Sequence, residues 1–267
     1  MRPSKIRTPQ LTLQDQFAQL RAQGFIVIRG FAPAENLAKL NNIARTQLVA
    51  RASPLELEVD LRYPGAPQSR AAVGAETIRR LLNAYNRDRE FAACATAPRL
   101  QEWVEGYFGE AVMLSRVHLN CLMTKHPHFG SLSGWHRDIR FWSFDREDLV
   151  SVWIALGEEY EGNGALWFAP GSHALALSAD RFDEAKFFRT DRADNAEILC
   201  KAESPRLEPG DAVFFHCNTL HSAGQNSSDT VKLSLAFTYH GRSNTAKART
   251  RSSSMPEVEL SADEQPG

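Results

Sequence analysis

The apolar residues of this chain change period near Gly109, and that change restricts the folds open to it more than any other feature. Before it, apolar side chains recur at helical spacing over 12–23, 33–51, 76–85 and 98–108, with one short strand at 25–30. Beyond it, apolar and polar residues alternate over 111–125, 134–141, 149–156, 165–169, 212–216 and 231–240, with glycine, proline and asparagine turns between. Helices first and short strands after predict a mainly β fold with flanking α-helices. The architecture expected is a double-stranded β-helix, that is, a jelly-roll or cupin-like barrel with a mouth. One domain over 1–267 is expected. It would comprise an N-terminal arm (1–11), a mainly helical flank (12–110) and a jelly-roll core (111–242) carrying an insertion at 174–206. Residues 55–75 look irregular, and the Ser-rich tail 243–267, basic and then acidic, is expected to be loose or to lie on the surface.

The charge balance excludes some functions. With 31 basic and 32 acidic residues and a net charge of −1, nothing suggests a polyanion-binding surface, so no nucleic acid is expected as partner. The four cysteines, Cys94, Cys121, Cys200 and Cys217, form no CxxC pair, which fits free thiols in a reducing compartment. No stretch has the length of a membrane span and the polar start has no apolar core behind it, so a cytoplasmic location and no membrane partner are expected. The oligomeric state stays open.

Chemistry concentrates at Gly134-Trp135-His136-Arg137-Asp138. On a strand, residues two apart share a face, so His136 and Asp138 point the same way. A third ligand is available further on, where His216 and His221 follow the turn Glu208-Pro209-Gly210-Asp211 and the apolar run after it. Two histidines and one carboxylate on one face leave metal positions open, the arrangement of non-haem Fe(II) oxygenases.

Other segments stand in a telling order: Asn163-Gly164-Ala165-Leu166, then Pro170-Gly171-Ser172-His173, then the Pro-Gly-Asp turn, His221, Asn226 and Lys232. In this order and spacing the chain resembles the phytanoyl-CoA dioxygenase family of Fe(II)/2-oxoglutarate oxygenases from about Gly24 to Tyr239. The resemblance implies that His136, Asp138 and His221, rather than His216, hold Fe(II). It also implies that 2-oxoglutarate fills two open positions and O2 the third, with succinate and CO2 released and a small organic substrate hydroxylated. Halogenating relatives lack the carboxylate, so Asp138 points to hydroxylation. The family's usual arginine for the far carboxylate of 2-oxoglutarate is replaced by Lys232, a point charge in place of a bidentate fork. Lys125 matches a position that contacts the cosubstrate, against the alternative of a solvated strand-end lysine. Asn163 is either a further contact or simply a turn former. A metal-binding barrel without turnover and a non-oxidative cupin-like enzyme are the competing functions.

Two further expectations concern charge. On 231–239, Lys232, Ser234, Ala236 and Thr238 share a small, polar face suited to a cavity, and the alternate residues are apolar. Lys232 therefore points inward, where it needs an anion, and the 5-carboxylate of 2-oxoglutarate would supply one. Arg116, Arg137 and Arg140 gather near the ligand segment, which suggests an anionic primary substrate unless acids such as Asp145 and Glu147 neutralise them.

Overall fold

The computed structural model describes residues 11–61, 63 and 66–260. The helical flank contains α1 (Leu13–Gln23), β1 (Phe25–Ile28), α2 (Ala34–Val49), β2 (Leu55–Leu57), β3 (Ile78–Leu82), α3 (Ala84–Arg87), α4 (Arg89–Ala95) and α5 (Pro98–Phe108). The β-rich part follows with β4 (Val112–Lys125), β5 (Ser133–His136), β6 (Val150–Ala155) and β7 (Leu166–Phe168). After α6 (Ala193–Leu199) come β8 (Ala212–His216), β9 (His221–Ala223), β10 (Lys232–Gly241) and β11 (Val258–Glu259).

The large sheet runs β1-β8-β6-β10-β4-β3-β2, with β11 added to β4, and the small sheet runs β5-β9-β7; every pair is antiparallel. These are the two open sheets of a jelly roll. Strand β10 is buried along its whole length between β4 and β6. Its two faces divide as the alternation predicts. Leu233, Leu235, Phe237 and Tyr239 join the main core with Leu100, Trp103 and Val104 of α5, whereas Ala236 packs with Trp153 and Phe215 on the opposite side. Trp103 links the layers: its ring centroid lies 5.2 Å from that of Phe17 on α1 and 4.0 Å from that of Phe214 on β8.

Helix α1 is capped by Thr12, which accepts from Asp15 N at 3.2 Å, and ends at Gly24 with φ 80°. A Cβ at Gly24 would stand 2.5 Å from His173 Nδ1 and 2.6 Å from Thr219 Oγ1, so only glycine lets α1 approach the loop before β9.

Four expectations are corrected. Residues 76–85 are not a helix: Ile78, Leu81 and Leu82 have helical spacing, but β4 offers a free edge, and Arg80, Leu81 and Leu82 pair with Met123, Leu122 and Cys121. Part of 55–75 is likewise ordered, β2 pairing with β3 and a 3-10 turn following at Glu58–Asp60. The strand expected over 134–141 stops at His136, and a 3-10 turn, Asp138–Phe141, takes its place. The described part of the tail is packed as well: β11 pairs with β4, and Ser252 and Leu260 are buried. The arm 1–10 and residues 261–267 lie outside the described residues. No helix among the described residues is long and apolar enough to cross a membrane.

Candidate metal centre and adjoining cavity

His136 ends β5, His221 opens β9 as its register partner, and Asp138 stands two residues on in the 3-10 turn. A ligand atom from each lies within 4.8 Å of the others, near the separation of at most about 4 Å that one ion about 2 Å from all three would impose. Asp138 Oδ1 is 3.5 Å from His221 Nε2 and 3.9 Å from His136 Nε2. Each imidazole Nδ1 faces a backbone carbonyl, Gly134 O at 2.8 Å and Thr219 O at 3.0 Å, which fixes the ring and turns Nε2 toward the shared point. Burial, with His221 and Arg140 close by, holds His136 well below the usual histidine range, so it is neutral, as a ligand must be. The donor set of two imidazoles and a carboxylate fits iron, and the other Asp138 oxygen, Oδ2, accepts from Ser151 Oγ of β6 at 2.9 Å. Nothing in the sequence distinguished Ser151 from a core serine; only the pairing of the sheets brings it there.

The loop before His221 is held by the Pro170-Gly171-Ser172-His173 motif. Ser172 Oγ accepts from Leu220 N at 2.9 Å, Thr219 Oγ1 donates to Gly24 O at 2.6 Å, and the His173 ring rests on the end of α1 through Arg21 O. His216 lies apart from the ligand group. Its Nδ1 accepts from Asn218 N, and burial pulls its pKa down to about 4.

The ligands open into a cavity of about 160 Å³ between the two sheets. Lys125 and Lys232, register partners on β4 and β10, both line it and both are buried. Here the reasoning about Lys232 needs correcting, because it already has a protein counter-ion. Its Nζ lies 2.9 Å from Glu159 Oε2, and this fully buried carboxylate also accepts from Trp153 Nε1 at 2.9 Å and Ser234 Oγ at 2.6 Å. Lys125 instead donates to Ser131 O at 2.6 Å and pairs with no carboxylate among the described residues. Burial, then the charges of Arg79 and Lys232, holds its pKa well below the usual lysine range. Arg79 is balanced by Glu58 at 3.5 Å.

Asn163 is not brought to the cavity. Its Oδ1 accepts from Tyr160 N and its Nδ2 donates to Glu158 O, so both ends of the amide are used inside the turn. The neighbouring Gly164 lines the wall instead, and a Cβ there would meet Lys125 Cγ at 2.9 Å. Of the three arginines, Arg137 donates to Ser172 O and Leu175 O, and Arg116 donates to Asn86 Oδ1; neither lines the cavity. Arg140 does line it. None of the three forms an ion pair among the described residues, and Asp145 and Glu147 bond elsewhere, to Thr245 and Asn218.

The sequence profile described as phytanoyl-CoA dioxygenase matches residues 20–234. The human peroxisomal phytanoyl-CoA dioxygenase is 25% identical over 222 residues, covering 80% of this chain and 64% of that protein. The ectoine dioxygenase of Streptomyces avermitilis is 27% identical over 190 residues, covering 64% of this chain and 63% of that protein. The chain thus spans a little under two thirds of the length of these curated relatives. Among solved structures, EctD from S. alaskensis with 2-oxoglutarate and 5-hydroxyectoine matches with a TM-score of 0.74 at 22% identity, over 92% of this chain and 82% of that one. The epimerase SnoN in complex with Fe3+, alpha ketoglutarate and nogalamycin RO matches with a TM-score of 0.70 at 23% identity, over 88% and 86%. At these identities the structural likeness establishes the jelly-roll fold.

Proposed function

This chain belongs to the phytanoyl-CoA dioxygenase family, and on that premise we propose that it is an Fe(II)- and 2-oxoglutarate-dependent dioxygenase that hydroxylates a small organic molecule. The observation that carries this reading is the convergence of His136, Asp138 and His221 at one end of a cavity whose side wall carries Lys125 and Lys232. When bound, iron with 2-oxoglutarate and O2 supplies the oxidising power, releasing succinate and CO2. His136, Asp138 and His221 would hold the metal, with Ser151 fixing the carboxylate and two backbone carbonyls fixing the imidazoles. The two lysines receive the far carboxylate of the cosubstrate. The two lysines share one carboxylate, Glu159, among the described residues; burial holds Lys125 well below the usual lysine range, and a proton taken up there as the far carboxylate arrives matches the single negative charge of that end. Apolar walls from Trp153, Leu166 and Phe215 keep the site dry, which strengthens each of these charge interactions.

The test is O2-dependent succinate release from 2-oxoglutarate by protein reconstituted anaerobically with Fe(II). His221→Ala is expected to lose iron retention and turnover, whereas His216→Ala keeps most of both. Iron retention that follows His216 rather than His221, or failure of the wild type both to bind and to turn over 2-oxoglutarate, would overturn the proposal.

A further inference from the structure

The outer part of the cavity is built differently from its metal end. Arg140, two residues beyond Asp138, stands at the rim with its guanidinium carbon 4.4 Å from the ring centroid of Phe187, 5.0 Å from that of Phe141 and 5.8 Å from that of Tyr63. It donates to Tyr63 Oη at 3.2 Å and pairs with no carboxylate among the described residues. Arg251, an exposed side chain, reaches the same cavity from the C-terminal segment, and it too forms no ion pair among the described residues. His118 completes the rim. It is buried and stacked on Trp142 at 4.6 Å, and its Nε2 bonds Ser252 Oγ while Nδ1 has no partner among the described residues. Trp142, Leu119 and Met123 supply apolar wall beside these groups.

We infer that the primary substrate is an organic anion, a carboxylate or phosphate joined to a flat apolar body, whose charged end is held by Arg140 and Arg251. This deepens the oxygenase reading and rests on it for the identity of the site, though the binding itself can be measured separately. Among the described residues the rim carries two guanidinium groups without ion-pair partners, whereas the cosubstrate's charges are accounted for at the metal and at the two lysines. Aromatic rings around Arg140 lower the local dielectric without neutralising it, so a matching anion gains more there than at an open surface. An uncharged substrate would leave the half-buried Arg140 uncompensated beside an apolar wall, while the exposed Arg251 would stay hydrated.

The experiment is calorimetric titration, with and without Fe(II) and 2-oxoglutarate under anaerobic conditions, using phenylacetate, phenyl phosphate and the uncharged phenylacetamide as probes. At least one anion is expected to bind about tenfold more tightly than the amide, the worth of one charged hydrogen-bonded contact. Arg140→Gln and Arg251→Gln should each lower the affinity of that anion by a similar factor and leave the amide where it was. Comparison of the two anions identifies the preferred head group. Arg251→Glu, at an exposed side chain, keeps the test decisive if Arg140→Gln disturbs the fold. Equal binding of anions and amide, no binding of any probe, or unchanged anion affinity in Arg251→Glu would overturn the inference. Succinate release is followed in the same preparation: a wild type that turns over 2-oxoglutarate without any anion preference sinks only this inference. One that prefers anions but shows neither 2-oxoglutarate binding nor turnover sinks only the oxygenase reading.

Discussion

Glu159 sets the electrostatics of the cavity, and the sequence did not advertise it. It stands in a turn that reads as ordinary loop, yet it is fully buried and receives Lys232, Trp153 and Ser234 together. Reasoning from the strand alone placed Lys232 on the cavity face correctly but assumed that it lacked an anion, because a partner from a distant loop leaves no trace in local alternation. The charge count makes the two lysines unequal. Lys125→Ala is expected to weaken 2-oxoglutarate by about ten- to a hundredfold, since it removes the lysine that pairs with no carboxylate among the described residues and can take up a proton for the incoming one. Glu159→Gln should tighten the cosubstrate severalfold by freeing the Lys232 charge. Lys232→Ala alone leaves Glu159 buried and unpaired, at a cost of about 3–5 kcal/mol, so its effect on binding is best read in the Glu159→Gln background. Half-saturation for 2-oxoglutarate, from succinate release at varied cosubstrate, checks each variant; a Glu159→Gln value equal to or weaker than wild type would refute the charge count.

At the scale of elements, legibility followed the strength of the periodic signal. Strands β4, β6, β8 and β10 could be read because each is long enough or apolar enough for alternation to show; the HxD pair stood out because its spacing is local, whereas His221 was chosen over His216 only through the family resemblance. Strand β3 was misread because Ile78, Leu81 and Leu82 fit either period, and only the free edge of β4 decides between them. The tail was misread because its composition is polar, while its order comes from a few contacts: Val258–Glu259 on β4, Leu260 in the main core, and Ser252 between His118 and Ser143 N. Leu260, a lone leucine in a polar run, was the available signal. Deleting 251–267 is therefore expected to cost about 2–4 kcal/mol, the sum of one buried leucine and a few hydrogen bonds, and to lower the urea midpoint. An unchanged midpoint would mean that the segment only rests on the surface.

For the whole molecule, the two sheets divide the labour. The small sheet and the turn after it contribute the three proposed metal ligands, and β4 and β10 of the large sheet contribute the lysines, so the gap between sheets would set the distance from a metal to a carboxylate held by the lysines. Helices cover the other face of the large sheet and leave the cavity side free. Adding Fe(II), or redox-inert Ni(II), to the apo protein is expected to raise Tm and to slow amide exchange in β5 and β9, because binding only the folded state stabilises it by RT ln(1 + [metal]/Kd). An apo protein as protected as the metal-loaded one would contradict this. The small contact between Ser151 Oγ and Asp138 Oδ2 adds something further. It fastens the ligand turn that follows the small sheet's β5 to the middle of the large sheet, so a metal bound there would act as a rivet through both layers, and stiffness gained at the ion would be felt in the cavity wall.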